Sequence, residues 1–202
     1  MMKPVQTLPA TYIKINRIDL KQNIKLAILL NLAAIPIFLG FGWLLLRYIA
    51  AVRPDARLLW GALGGLPDLL LLLVGLFVIV VIHEMVHGIF FWYFTHSRPN
   101  FAFKVLYAYA SAPDWYIPRN QYVIIGLAPI TLITLVGMLL ILVLPIYAVA
   151  VTFILVSFNA AGAVGDLAVT GWLLTRNSNL LICDEGDAAT VYGPTERETT
   201  PI

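Results

Sequence analysis

The chain is expected to fold as an all-α polytopic membrane protein, with four transmembrane helices and a short strand or hairpin at the cytoplasmic interface between spans two and three. Three observations point there. Of its 202 residues 60% are hydrophobic and only 12% charged, whereas a soluble domain carries charge at roughly a quarter of its positions. The apolar residues gather into four runs, at about 26–49, 69–94, 121–144 and 147–174, each meeting the roughly 20 residues that a helix needs to cross a hydrocarbon core. The basic residues, finally, alternate between sparse and dense from one connection to the next. Net charge +2 is too small to argue for nucleic acid, and the single cysteine, Cys183, excludes an intrachain disulfide or a cysteine-based zinc cluster.

Helices are the required form of the four runs, because the bilayer core offers no water to backbone groups and an open sheet cannot face lipid. The first run is too long for a signal-peptide apolar region, roughly 7–15 residues, and is read as a retained span. Pro36 and Pro129 lie within spans, where a proline is tolerated if neighbours satisfy the carbonyl it frees, and either is a candidate kink. Ten of the 13 Lys and Arg residues fall before the first span, between the second and third, or after the fourth; only Arg47, Arg53 and Arg57 fall elsewhere. By the positive-inside rule both termini and the 95–120 loop are cytoplasmic, in a cell membrane. This divides the chain into a cytoplasmic segment 1–25, a four-span domain 26–174 and a cytoplasmic tail 175–202.

Within the 95–120 loop, Phe101, Phe103, Val105, Tyr107 and Tyr109 occupy alternate positions, the period of a strand rich in aromatic and β-branched residues. Pro99, Pro113 and Pro118 bracket it. The competing reading is an aromatic belt at the membrane surface. From Asn177 the chain turns polar and acidic, with Asp184, Glu185, Asp187, Glu196 and Glu198, and reads as a solvated tail whose Leu180, Leu181 and Ile182 pack on the bundle.

The chemistry lies in span two. His83-Glu84-Met85-Val86-His87 is a HExxH pattern, and residues four apart on a helix share a face, so the two imidazoles can clasp one zinc while Glu84 stands beside it to take a proton from the activated water. A purely structural role as interhelical hydrogen bonds is disfavoured because an ionisable side chain at mid-helix costs roughly 2.5–3.5 kcal/mol. Zinc with two histidines and a water takes one more protein ligand. The candidates are Asp166, His96, Cys183 and the tail carboxylates. At 1.5 Å per residue His87 lies about 27 Å along span two and Asp166 about 28 Å along span four, which runs in the same direction, so Asp166 reaches the level of the histidines. His96 lies roughly 13 Å farther and Cys183 past the span's end. Small residues at 160–163 and 165 suit close approach of span four to another helix. Asn159, seven residues before Asp166, is on nearly the same face; it is a candidate for orienting a substrate carbonyl or stabilising an oxyanion, with an interhelical hydrogen bond as the alternative.

HEMVHG in a span, the stretches YAYASAP and RNQYVIIGLAP, the late GDL and the closing CDEGDAATVYGP resemble the bacterial and archaeal family described as putative zincin peptidases, over about residues 70–195. The core of that family is similar to the site-2 protease group of intramembrane metalloproteases. The resemblance implies His83, His87 and Asp166 as zinc ligands and Glu84 as catalytic base, although here glycine precedes the aspartate where site-2 proteases place it after. The expected function is therefore cleavage of membrane-protein or peptide substrates by zinc-activated water near the cytoplasmic interface, with the strand pairing to an extended substrate segment. Substrate choice falls to the spans, the strand, the tail, or a partner, whether a second copy or an adaptor. The rival readings are a non-catalytic zinc-binding scaffold and a metal transporter, the latter lacking the repeat symmetry expected of a path across the membrane.

Overall fold

The computed structural model describes residues 2–19, 22–56, 65–103, 108–186 and 188–195. Five helices carry the apolar runs: α1 (Ile24–Val52), α2 (Leu66–Thr95), α3 (Arg119–Val143), α4 (Ile146–Gly162) and α5 (Val164–Leu174). The first three are each long and apolar enough to cross a membrane; α4 and α5 pass that test only together, bent by 46° at Ala163. Their polarity is compatible with helices in a membrane. Leu29, Leu32, Leu39 and Trp43 on α1, Leu70, Val74 and Phe77 on α2, and Leu135, Leu139 and Val143 on α3 are all exposed, an outward apolar surface that water would not tolerate. Helix ends are set locally. Asn23 Oδ1 accepts the Leu26 N–H to start α1, the Gly65 N–H donates to Asp68 Oδ2 at the start of α2, and His96, at φ 53°, closes α2 by donating its N–H to the Trp92 carbonyl. Both α1 and α3 run on through their prolines.

The expectation of an all-α fold is wrong. Strands β1 (Tyr12–Asp19), β2 (Asn100–Phe103), β3 (Ala108–Pro118), β4 (Leu181–Asp184) and β5 (Ala188–Pro194) form one antiparallel sheet in the order β1-β5-β4-β3-β2. The lipid argument that demands helices applies only to the spans; outside them, each connecting segment is free to pair with the others. Of the expected strand, Phe101–Phe103 falls in β2 and Ala108–Tyr109 in β3, an antiparallel hairpin in register Phe101↔Ala110, while residues 104–107 lie outside the described residues. The acidic tail is largely not solvated: β4 and β5 occupy the interior of the sheet order, and Leu180, Leu181, Ile182, Cys183 and Val191 are buried. Val5 adds a further bridge to Tyr116 of β3.

This sheet fixes the path of the chain. β1 precedes α1, the β2–β3 hairpin joins α2 to α3, and β4–β5 follows α5, so backbone hydrogen bonding holds all three segments at one end of the helices. The helices therefore leave and return in pairs, with α4 and α5 together making the fourth passage. Three clusters of buried side chains hold the assembly. Leu45, Ile49, Ile141, Val149 and Phe153 join α1, α3 and α4. Phe91, Ala110, Ile117 and Ile125 join α2, the hairpin and α3. Leu173, Leu180, Ile182 and Val191 join α5 to the sheet. The last two clusters flank the candidate site.

Candidate metal centre

His83 and His87 stand one turn apart on α2, with ring centroids 4.9 Å apart, and Asp166 comes from the first turn of α5. His87 and Asp166 each sit eight residues before their helix ends on the sheet side, about 12 Å along the axis. The level inferred from residue counting is thus the level observed. A carboxylate in a first helical turn is also favoured by the helix dipole. Close approach of the helices comes from an unexpected place. A Cβ on Gly162 or Gly165 would meet nothing within 4 Å, whereas one on Gly126 of α3 would lie 2.7 Å from Thr170 Oγ1, one turn after Asp166. Ala160, Ala161 and Ala163 are buried contact positions, as the small-residue pattern suggests.

Three donor atoms converge. His83 Nε2 lies 3.1 Å and His87 Nε2 3.5 Å from Asp166 Oδ2, and the two nitrogens are 3.2 Å apart. Four ligands at about 2.0–2.1 Å around a tetrahedral zinc stand about 3.3–3.4 Å from one another, so the three separations match the edges of such a tetrahedron. Protonation supports the match. His87 Nδ1 is 3.0 Å from the Ile125 carbonyl, which can only accept, so Nδ1 carries the hydrogen. His83 Nδ1 likewise donates to Asn159 Oδ1 at 2.9 Å. In the neutral rings both Nε2 atoms are then bare lone pairs facing each other and a carboxylate oxygen, an arrangement that a cation satisfies. His83, His87 and Asp166 are the group of His, Cys, Asp and Glu residues that could hold a metal ion among the described residues.

Glu84, half-buried, points toward the sheet, where its Oε2 accepts the backbone N–H of Ala110 in β3 at 2.8 Å. One strand thus fixes the carboxylate next to the histidines. The β2–β3 hairpin is pressed against the same turn of α2: a Cβ on Gly88 would lie 2.2 Å from the Phe101 ring, which would have to swing aside for any larger residue after His87. Asn159, buried at 4% exposure, holds His83 through its amide oxygen, while its Nδ2 has no partner among the described residues. The other candidates lie apart from the cluster. His96 caps α2, and the Cys183 thiol donates to the Pro113 carbonyl at 3.1 Å. Burial, reinforced by the carboxylates of Glu185, Asp184 and Asp114, pushes that thiol up to about 11, so it stays protonated at neutral pH. Sequence reading missed the Ala110 N–H and the Ile125 carbonyl, which act through the backbone. It also missed Asp184, taken for a solvated tail residue. Asp184 accepts from the Tyr122 hydroxyl at 2.6 Å and from the Gly186 N–H, and burial holds its carboxyl above the usual range.

A HExxH helix joined by an aspartate from a later helix is a residue pattern that suits a zinc metallopeptidase. Residues 76–181 match the family described as putative zincin peptidase, and the chain belongs to that family. No curated protein and no solved structure matches it.

Proposed function

We propose that the chain is an intramembrane zinc metalloprotease that cleaves membrane-protein or peptide substrates near the cytoplasmic interface, in the manner of the site-2 proteases its motifs resemble. The observation that carries this reading is the convergence of one possible ligand atom from each of His83, His87 and Asp166, at one level on α2 and α5, beside a carboxylate that is itself not a member of the cluster. His83, His87 and Asp166 would hold the zinc, which supplies Lewis acidity toward a carbonyl and lowers the pKa of water toward 7. Glu84, anchored by Ala110, takes a proton from the attacking water and returns it to the leaving nitrogen. β2 is one of the two outer strands of the sheet, the one next to β3 and Ala110, and its pairing groups suit an extended substrate segment added by β-augmentation, which would also unwind a helical substrate. Purified protein should contain about one zinc per chain and cleave a single-span peptide in detergent or liposomes. Chelation should abolish cleavage and zinc should restore it. Zinc flux across liposomes without cleavage would favour a transporter, and zinc binding with neither activity a scaffold.

Among the described residues, Lys3, Lys14, Arg17, Lys25, Arg98, Arg119 and Arg176 lie at the sheet end and Arg47 and Arg53 toward the other, which supports a cytoplasmic sheet. A cysteine at Ser97, between α2 and β2, should react with an impermeant maleimide only from the cytoplasmic face. The buried, protonated Cys183 should stay silent in the same experiment. Labelling of position 97 from outside would invert the orientation and the face from which substrates arrive.

A further inference from the structure

We infer that Pro129 is a positioning residue for the metal site: by withholding a backbone N–H, it leaves the Ile125 carbonyl free to hold His87 in the orientation that ligation requires. In an α-helix the N–H of residue i bonds the carbonyl of residue i−4. For Ile125 that donor would come from position 129, which is proline and has none. α3 nevertheless continues unbroken from Arg119 to Val143, and Pro129 is fully buried within it. The proline therefore does not end a helix; it opens one acceptor on the helix wall. The group that takes up this acceptor is His87, whose Nδ1–H donates to that carbonyl at 3.0 Å.

The consequence falls on the other ring nitrogen. With its hydrogen on Nδ1, His87 presents a bare Nε2 to Asp166 and to His83 Nε2; with the hydrogen on Nε2, or with the ring turned over, it would present an N–H and could not ligate there. Each histidine has its own anchor on a different helix: Asn159 of α4 holds His83 by a side chain, and Ile125 of α3 holds His87 by a carbonyl. Only the second needs a break in a helix's hydrogen-bond ladder, and the proline stands at the one position that makes it. Gly126, next to Ile125, is also where α3 touches Thr170 of α5, so the same turn of α3 fixes both His87 and the helix that carries Asp166.

The inference rests on the proposed role of His87 as a zinc ligand. Its test uses three forms of the full-length protein in detergent: wild type, Pro129→Ala, and a variant in which the α-hydroxy analogue of alanine occupies position 129. The last has the alanine side chain but a backbone ester, with no N–H. Zinc affinity is read by competition with a chelator, and the ligand field by the visible spectrum of the cobalt-substituted protein. Pro129→Ala restores the competing N–H and should weaken zinc binding about 10–100-fold, the usual effect of losing a ligand's outer partner. The ester should return affinity to within a few-fold of wild type and restore the cobalt spectrum. If Pro129→Ala binds as tightly as wild type, or the ester is as weak as the alanine, the proline acts through bending or packing and the inference fails. Insertion of the ester form but not the alanine form counts as rescue, since one N–H separates them. Should neither variant insert, the imidazole ¹⁵N shifts of wild type decide: hydrogen on His87 Nδ1 upholds the inference and hydrogen on Nε2 overturns it. A wild type that binds no zinc would instead overturn the proposed function, whatever position 129 does.

Discussion

Replacement of Glu84 by glutamine is expected to leave zinc binding intact and to reduce peptide cleavage by about 10²–10⁴-fold, the contribution of general base catalysis. The structure separates the two properties. The three proposed ligand atoms come from His83, His87 and Asp166, whereas Glu84, beside them, is engaged by the Ala110 N–H and is not one of the cluster. Glutamine retains an amide oxygen able to accept from Ala110, keeps the length of the side chain and has nearly the same helix propensity. What it loses is the lone basic site that takes a proton from water. The measurement is the turnover of a single-span peptide at saturating zinc, alongside metal analysis of both proteins. A variant with full zinc and full turnover would remove Glu84 from the chemistry. A variant that loses its zinc would move Glu84 from base to structural element of the site.

The parts of this molecule legible in the sequence are those where the physics leaves one solution. Hydrocarbon forces long apolar runs into helices, so α1, α2 and α3 begin and end within a few residues of the runs at 26–49, 69–94 and 121–144. HExxH is equally constrained, since the four-residue spacing on one helix brings His83 and His87 onto one face. Asp166 follows from depth, because rise per residue is fixed. The run 147–174 reads as one span, and the bend at Ala163 has no proline to announce it. The bend has a structural correlate in His83: its two ring nitrogens contact Asn159 and Asp166, seven residues apart and thus about 10.5 Å apart along a straight helix.

The sheet was hidden for a different reason. Strand pairing is non-local: β1 pairs with β5, with Tyr12 opposite Pro194, and nothing in either segment alone names the other. β1 does alternate Ile13 and Ile15 with Lys14 and Asn16, but both isoleucines are more than half exposed, at an edge where pattern gives weak guidance. Around β4 and β5 the strand pattern is masked by Asp184, Glu185 and Asp187, which lie at the end of β4 and between the two strands. Asp184 is in fact half-buried, bonded to the Tyr122 hydroxyl, a contact only the folded chain can bring about. Backbone participants were hidden altogether. The Ala110 N–H and the Ile125 carbonyl have no side-chain signature, and for the latter only a proline four residues on gives a sign.

Exchange of a single ligand is expected to have the second large effect, and Asp166 is the informative one. His83 and His87 belong to one helix and would remain paired after Asp166→Ala, still anchored by Asn159 and Ile125. The loss is therefore confined to one of three protein donors, and with it the charge that makes two neutral imidazoles and a carboxylate a good site for a dication. Zinc occupancy after dialysis should fall from about one per chain to a small fraction, and cleavage should fall with it. Asp166→Asn is the sharper control. It keeps a carbonyl oxygen of similar reach but no charge, and should bind zinc more weakly than wild type and more tightly than alanine. Helix content by circular dichroism should change little in either variant, since α5 is held to the sheet by Leu173, Leu180, Ile182 and Val191 and to α3 at Gly126 and Thr170, contacts that omit the Asp166 side chain. Retention of full zinc by Asp166→Ala would exclude it from the site. The third ligand would then have to be a group the folded chain keeps apart from the histidines, which for His96 means uncapping α2 and for Cys183 means drawing a buried thiol out of β4.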